Sequence, residues 1–202
     1  MHTLQARGVE YCYPGAKTPT LAGIDLELST QELVGLSSPS GTGKTTLCQV
    51  LSSYLAPTAG VLLYDGAPPQ VVAGQPNPVQ LIWQHPEQAF DPYLRVGTSI
   101  GHSGALVETV VTGPGIEQEW LSRFPHELSG RQLQRLAIAR TVAAKPCFMI
   151  ADEITTMLDF HTQAKIWRFL IDYTKRHEVG LLLVSHDEVI LERVADRVVT
   201  LA

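Results

Sequence analysis

Ser38-Pro39-Ser40-Gly41-Thr42-Gly43-Lys44-Thr45 brings together the residue types that bind phosphate. Glycines let backbone N–H groups close around phosphate oxygens, and the following helix adds its own free N–H groups and positive end. Lys44 is placed to reach the β- and γ-phosphates, and the Thr45 hydroxyl to bind Mg²⁺. One position departs from the G-x-x-x-x-G-K-[ST] pattern, because Ser38 stands at the first glycine. If that position needs a positive φ, serine costs about 1–2 kcal/mol there.

A second polar group fits the same chemistry. Asp152-Glu153 follows the apolar run Cys147-Phe148-Met149-Ile150-Ala151. Asp152 is suited to hold Mg²⁺, and Glu153 to orient and deprotonate an attacking water. Phosphoryl transfer is mainly positioning and charge stabilisation, so a metal site, a lysine and a water-positioning residue form a minimal set. Gln84 ends the run Val79-Gln80-Leu81-Ile82-Trp83, and Ser185-His186-Asp187 ends Leu181-Leu182-Leu183-Val184. His186 is placed to contact a γ-phosphate. His2, His85, His102, His126, His161 and His177 show no ligand spacing.

The elements that position these groups are legible in the hydropathy pattern. Leu33–Leu36 reads as a buried strand before the glycine-rich loop, and Leu47, Val50, Leu51 and Tyr54 as one face of the helix after it. Leu4–Tyr13 and the alternating Ile24–Leu28 read as strands, as does Val61–Tyr64 between Pro57–Gly60 and Asp65-Gly66. Residues 85 to about 125, punctuated by glycines, read as an inserted, partly helical segment. Ser129 and Gln132 have capping-box spacing at the start of a helix to about Ala144, which Lys145-Pro146 ends. A long helix is expected over 160–177, a short one over 187–195 and a last strand at Arg197–Leu201. Apolar strands alternating with helices predict an α/β protein with a mostly parallel sheet covered on both faces. The polar groups all fall at strand carboxyl ends, where open α/β sheets bind ligands.

The 202 residues are enough for one domain with an insertion, and 45% hydrophobic content supplies a core. A net charge of −5 gives no reason to expect nucleic acid as a partner. Cys12, Cys48 and Cys147 lack paired or metal-ligand spacing and are expected reduced, as in the cytosol. Residues 1–30 show no signal-peptide pattern, and no apolar run reaches the roughly 18 residues of a membrane span. A membrane role is therefore expected to come through a partner.

Taken together these motifs resemble the ATP-binding cassette (ABC) family over almost the whole chain. Tyr13-Pro14-Gly15 looks like the aromatic loop that stacks on adenine, with Tyr11 the alternative stacker. Gln84 resembles the Q-loop, and Leu128-Ser129-Gly130-Arg131-Gln132 the signature L-S-G-G-Q except at Arg131. Thr156-Met157-Leu158-Asp159 resembles the D-loop and His186 the H-loop. The resemblance implies a P-loop NTPase fold: a mostly parallel core sheet, an antiparallel β edge and an inserted helical subdomain. It divides the chain into 1–84 with 146–202 (RecA-like core with β edge) and 85–145 (helical signature subdomain). Tyr13, Ser38, Pro39, Ser40, Gly41, Thr42, Gly43, Lys44, Thr45 and Thr46 are the implied nucleotide-binding residues. Lys44, Gln84, Glu153 and His186 are implied in catalysis, and Thr45, Gln84 and Asp152 at Mg²⁺.

The resemblance also implies ATP and Mg²⁺ as cofactors and a nucleotide-sandwich dimer. In it Ser129, Gly130, Arg131 and Gln132 act on the partner's nucleotide, and Asp159 belongs to the D-loop. Trp83–Pro86, Phe90-Asp91-Pro92, Arg123–Ser129 and Asp152–Asp159 are closest to ATPase subunits of oligopeptide, dipeptide and nickel importers. Such subunits sit on the cytoplasmic face of the membrane, against transmembrane permease subunits, as homo- or heterodimers. The implied activity is ATP hydrolysis driving uptake of a peptide- or nickel-class solute. Two other readings remain: a regulatory half of a heterodimer with weak turnover, and an ABC ATPase without a permease. Ser38 and Arg131 replace glycines at phosphate-contacting motifs and motivate the first. Gln31 replaces a glycine usual before the loop strand, a change expected to matter less.

Overall fold

The computed structural model describes residues 1–39, 41–70, 72, 74–101, 115–154 and 160–201, without the side chains of Phe160 and His161. Ser40 and the segment around Asp159, named above as a nucleotide contact and the D-loop, lie outside the described residues.

Two sheets carry the chain. Strands β1 (Thr3–Tyr11), β2 (Leu21–Ser29) and β4 (Ala59–Tyr64) form an antiparallel sheet in the order β2-β1-β4. Strands β5 (Val79–Ile82), β6 (Phe148–Asp152), β7 (Gly180–Val184), β3 (Leu33–Ser37) and β8 (Arg197–Thr200) form a sheet ordered β5-β6-β7-β3-β8. All of its pairings are parallel. Among the described residues the α-helices are α1 (Lys44–Leu51), α2 (Val96–Gly101), α3 (Gly130–Ala143), α4 (Phe160–His177) and α5 (Glu188–Val194). This is the α/β P-loop arrangement expected, with an antiparallel β edge and a helical insertion.

Period-two alternation explains why β6 and β7 read as unbroken apolar runs. Phe148, Ile150, Leu182 and Val184 face one core, shared with α1 and the antiparallel sheet. Met149, Ala151, Leu181 and Leu183 face a second core, closed by Ile166, Trp167 and Leu170 of α4 and Leu191 of α5. Burial on both faces removes any polar side from such a strand. A third cluster joins Phe90, Val96, Ile100, Ile116 and Trp120 to Leu133, Leu136 and Ala137 of α3. Gln134 of α3 links it to the main sheet by donating to the Trp83 carbonyl at 3.4 Å.

Most expected elements stand within a residue or two of their positions, but Tyr54 does not lie on the α1 face. The helix ends in a Schellman motif. Tyr54 N–H donates to the Gln49 carbonyl at 2.8 Å, Ser53 N–H to Val50 at 2.9 Å, and Ser53 takes φ 62°. The chain turns away there, leaving Tyr54 55% exposed with its ring edge-on to Trp83. Gln31 corrects a second expectation. It adopts φ 73°, whereas Ser38 is not among the described non-glycine residues with positive φ. The left-handed strain anticipated at Ser38 therefore falls at Gln31.

Candidate functional site

The phosphate loop leaves β3 at Ser37 and enters α1 at Lys44. Gly41 and Gly43 sit at φ 86° and 90°. A Cβ on Gly43 would lie 2.8 Å from the Thr20 carbonyl oxygen, so both backbone and space demand glycine. The loop is braced internally. The Ser38 and Thr42 hydroxyls are hydrogen-bonded, and Thr42 also donates to the Pro39 carbonyl at 2.9 Å. Ser38 donates the proton of the Ser38–Thr42 bond, and its Oγ lies 3.4 Å from the Leu201 carbonyl oxygen, just beyond β8. Serine here supplies a brace that glycine lacks.

Lys44 is buried with its ammonium curled into the loop. Its Nζ donates to the carbonyls of Ser38 at 2.8 Å and Pro39 at 3.1 Å. It also lies 3.7 Å from Oε1 of Glu153. The other Glu153 oxygen accepts from Gln84 Nε2 at 3.3 Å and lies 3.9 Å from His186 Nδ1. Four segments far apart in sequence thus meet at one carboxylate. Glu153 itself takes φ 45°, just past the end of β6, and its N–H is held by the Val184 carbonyl at 3.1 Å. A left-handed non-glycine residue marks a position fixed by its surroundings.

Asp152 is 2% exposed, and its Oδ1 has no hydrogen-bond partner. Burial pushes its carboxyl above the ordinary aspartate range, and the Thr45 hydroxyl bonded to it pulls the other way. A buried carboxylate oxygen with a free lone pair beside a threonine hydroxyl is a hard-oxygen donor set that fits Mg²⁺. Cys48 lies nearby within α1; burial pushes its thiol well above the usual range.

Tyr13 is 42% exposed and its hydroxyl is 3.2 Å from Thr46 Oγ1, at the start of α1. Tyr11 is 8% exposed and packs edge-on beneath Tyr13. Ser129 N-caps α3 in a capping box: its Oγ accepts from the Gln132 N–H, and Gln132 Oε1 accepts from the Ser129 N–H at 2.9 Å. These bonds are local, and they leave Ser129 and Gln132 away from the Lys44–Glu153 group. Gly130 has open space around it, and Arg131 is exposed on the first turn. Asp187 proves to be the α5 cap, accepting from Ile190 N–H at 3.2 Å. Pattern reading had no signal for two further features, the Ser38–Thr42 brace and the Glu153 backbone.

A family model described as ABC transporter matches residues 21–156. The chain belongs to the ABC transporter family. Two provisionally named relatives agree. A D,D-dipeptide transport ATP-binding protein, DdpF of Escherichia coli K12, is 32% identical over 188 residues, covering 87% of this chain and 58% of its own length. A peptide import ATP-binding protein of Brucella ovis is 31% identical over 218 residues, covering 98% of this chain and 68% of its own. This ABC chain thus spans about three-fifths to two-thirds of the length of these relatives. The dimeric bacterial ABC transporter cassette MJ0796 superposes with TM-score 0.84 at 23% identity, covering 98% of this chain and 94% of that one. The resemblance to ABC ATPases of the peptide-importer type is borne out, and so is the fold. No helix among the described residues is long and apolar enough to cross a membrane.

Proposed function

We propose that the chain is the nucleotide-binding subunit of an ABC importer, hydrolysing ATP to drive uptake of a small solute through permease subunits. The observation that carries this is the convergence of Lys44, Gln84 and His186 on Glu153, beside Asp152 with its unpartnered oxygen. In this reading the groups now gripping Glu153 exchange it for phosphate. Lys44 leaves the Ser38 and Pro39 carbonyls for the β- and γ-phosphates, and His186 meets the γ-phosphate. Glu153, released, accepts a proton from the attacking water. Tyr13, exposed beside Thr46, stacks on the base, while Tyr11 supports it from below. Gly41, Gly43 and the first N–H groups of α1 surround the phosphates.

Thr45 and Asp152, with Gln84 at hand, would hold Mg²⁺. When bound, the ion supplies charge neutralisation across the phosphates. Ser129, Gly130, Arg131 and Gln132 present the start of α3 to a partner cassette's nucleotide, and Asp159 belongs to the D-loop. The division into a core of 1–84 with 146–202 and a helical signature part of 85–145 belongs to this reading. The solute belongs to the peptide or nickel class, and the chain sits at the inner membrane face through its permease. The names of the relatives, a dipeptide transport and a peptide import ATP-binding protein, support the peptide class.

The deciding experiment is Mg-ATP hydrolysis by the purified chain, with and without candidate permease subunits, beside Glu153→Gln. Retained ATP binding with turnover lower by about 10²–10⁴-fold is expected in the variant. Equal turnover in both proteins would remove Glu153 from its role. A second reading, a weakly active regulatory half, is motivated by Arg131 at the signature position. It predicts ATP binding with no turnover until a different cassette is added.

A further inference from the structure

Helix α5 lies along β3, the strand that carries the phosphate loop, and is tied to it at three levels. Beyond the far end of the helix, the Asp196 N–H donates to the Leu33 carbonyl at 2.8 Å, and the Leu33 N–H donates to Asp196 Oδ2 at 2.8 Å. In the middle, a Cβ on Gly35 would lie 3.3 Å from the Cβ atoms of Leu191 and Ala195, so helix and strand are in close contact there. At the near end, the Ser37 hydroxyl donates to Glu188 Oε1 at 3.2 Å. Ser37 is the last residue of β3 and Glu188 the first of α5. The phosphate loop begins directly after Ser37, and His186 stands two residues before Glu188.

The His186 side chain is 66% exposed, and its Nδ1 stands 3.9 Å from Glu153 Oε2. A ring so placed owes its direction to the backbone beneath it. That backbone is pinned on both sides. Ser185 N–H donates to the Leu36 carbonyl at 3.3 Å, and Asp187 N–H to the Ser185 hydroxyl at 3.0 Å. Glu188 adds a side-chain bond from this segment to the root of the phosphate loop. A carboxylate in a first helix turn also offsets the positive end of its helix. That role needs the charge alone, whereas the bond gives the buried Ser37 hydroxyl an acceptor. We propose that Glu188, bonded to Ser37, is a positioning residue for His186 and sets its reach to the γ-phosphate. The proposal rests on the reading above, in which His186 meets that phosphate. Glu188 and the Ser37 hydroxyl act through His186, so their effect is confined to nucleotides that carry a γ-phosphate.

Calorimetric titration of the intact chain with the β,γ-imido analogue of ATP, and separately with ADP, reads the γ-phosphate contact without turnover. His186→Ala should weaken the analogue by about tenfold and leave ADP within about twofold. Glu188→Ala should weaken the analogue about three- to tenfold, again sparing ADP. Ser37→Ala breaks the same bond from its other end and should do the same. Glu188 is exposed, so its variant keeps the test in force if Ser37→Ala folds poorly. Glu188→Gln keeps an acceptor oxygen without the charge and should stay within about twofold of the parent chain. In a His186→Ala background, Glu188→Ala should add less than about twofold, because the group it positions is gone. Unaltered analogue affinity in Glu188→Ala would overturn the proposal. Equal weakening of analogue and ADP would reduce Glu188 to a structural residue, and a Glu188→Gln variant as weak as Glu188→Ala would assign the effect to charge; either result overturns it too. So would a full Glu188→Ala effect in the His186→Ala background. Unchanged analogue affinity in His186→Ala itself would instead remove the γ-phosphate role of His186, and the proposal with it.

Discussion

The two ends of α1 handle polar groups in opposite ways. At the amino end, Lys44 and Glu153 are bonded or paired to groups of the chain itself, and Ser38 and Thr42 brace each other. At the carboxyl end, the Ser52 and Ser53 hydroxyls, and Arg140 Nε at the end of α3, are buried without a hydrogen-bond partner. The amino end is wired because its side chains are themselves charged. A free lysine and glutamate in a buried setting would each cost several kcal/mol, so each is paired to the other or to polar groups of the chain. The carboxyl end needs no such pairing, because neutral hydroxyls and one half-buried guanidinium are cheaper to leave open. Asp152 is the exception that joins the two cases: it belongs to the wired end, yet one of its oxygens is bare.

The largest effect should come from breaking the wired end. Lys44→Ala removes a cation and every phosphate bond that it could make. Each charged hydrogen bond contributes about 1.5–3 kcal/mol, so nucleotide affinity should fall by at least about a hundredfold. Calorimetric titration with ATP checks this. Retention of affinity within about tenfold would mean that nucleotide does not use this loop.

Asp152→Asn tests the exception. Burial raises the Asp152 pKa above its unfolded value, so between the two values the folded chain holds a proton that the unfolded chain has lost. Stability of the nucleotide-free chain therefore falls as pH rises through the window just above the ordinary aspartate range. Above the folded value it stays reduced, with the charge buried. Asp152→Asn should lack that slope and unfold at a higher denaturant concentration at neutral pH, by about 1–3 kcal/mol. The same variant should lose the Mg²⁺ dependence of nucleotide binding. Denaturation at several pH values, repeated with Mg-ATP, gives both readouts. A less stable Asn variant would mean that the bare oxygen is satisfied in solution.

Ser129→Ala is expected to be smaller and local. It removes the α3 cap, at a cost of about 1 kcal/mol, and leaves ATP affinity of the isolated chain unchanged, because no bond of Ser129 reaches the Lys44–Glu153 group. Weaker ATP binding by the monomer would place α3's start within the chain's own site.

Strand β6 shows why so much of this was legible. A strand buried on both faces must be apolar throughout, and the first charged residues after it must be at the sheet edge. Asp152 and Glu153 could thus be placed from hydropathy alone. The capping box at Ser129 was legible because it is a local bond between residues three apart. Backbone angles were not. Nothing in Glu153 as a residue type signals φ 45°, because its surroundings in β7 impose that angle through the Val184 carbonyl. Tyr54 kept helical spacing after the helix had stopped, since periodicity cannot see a Schellman turn. The buried, partnerless hydroxyls of Ser52 and Ser53 were invisible for a further reason: tertiary packing removes them from water, and residue type does not signal it.

The smallest predicted effects separate backbone strain from side-chain purpose, and they do so at both ends of α1 and in the turn before it. Gln31 at φ 73° and Ser53 at φ 62° both hold left-handed backbone, which costs about 1–2 kcal/mol outside glycine. Glycine also enlarges the unfolded ensemble, which returns about 0.4–1 kcal/mol of that gain. Gln31→Gly and Ser53→Gly should therefore each stabilise the chain by about 0.5–1 kcal/mol. Ser38→Gly has no left-handed strain to relieve and loses the bond to Thr42, so it should destabilise by about 1 kcal/mol. Chemical denaturation of the three variants gives the signs directly. A gain from Ser38→Gly matching that from Gln31→Gly would mean that the family's first loop glycine is needed for its backbone after all. The expected opposite sign would mean that serine at the wired end is a structural gain, while serine at the other end of α1 is tolerated strain.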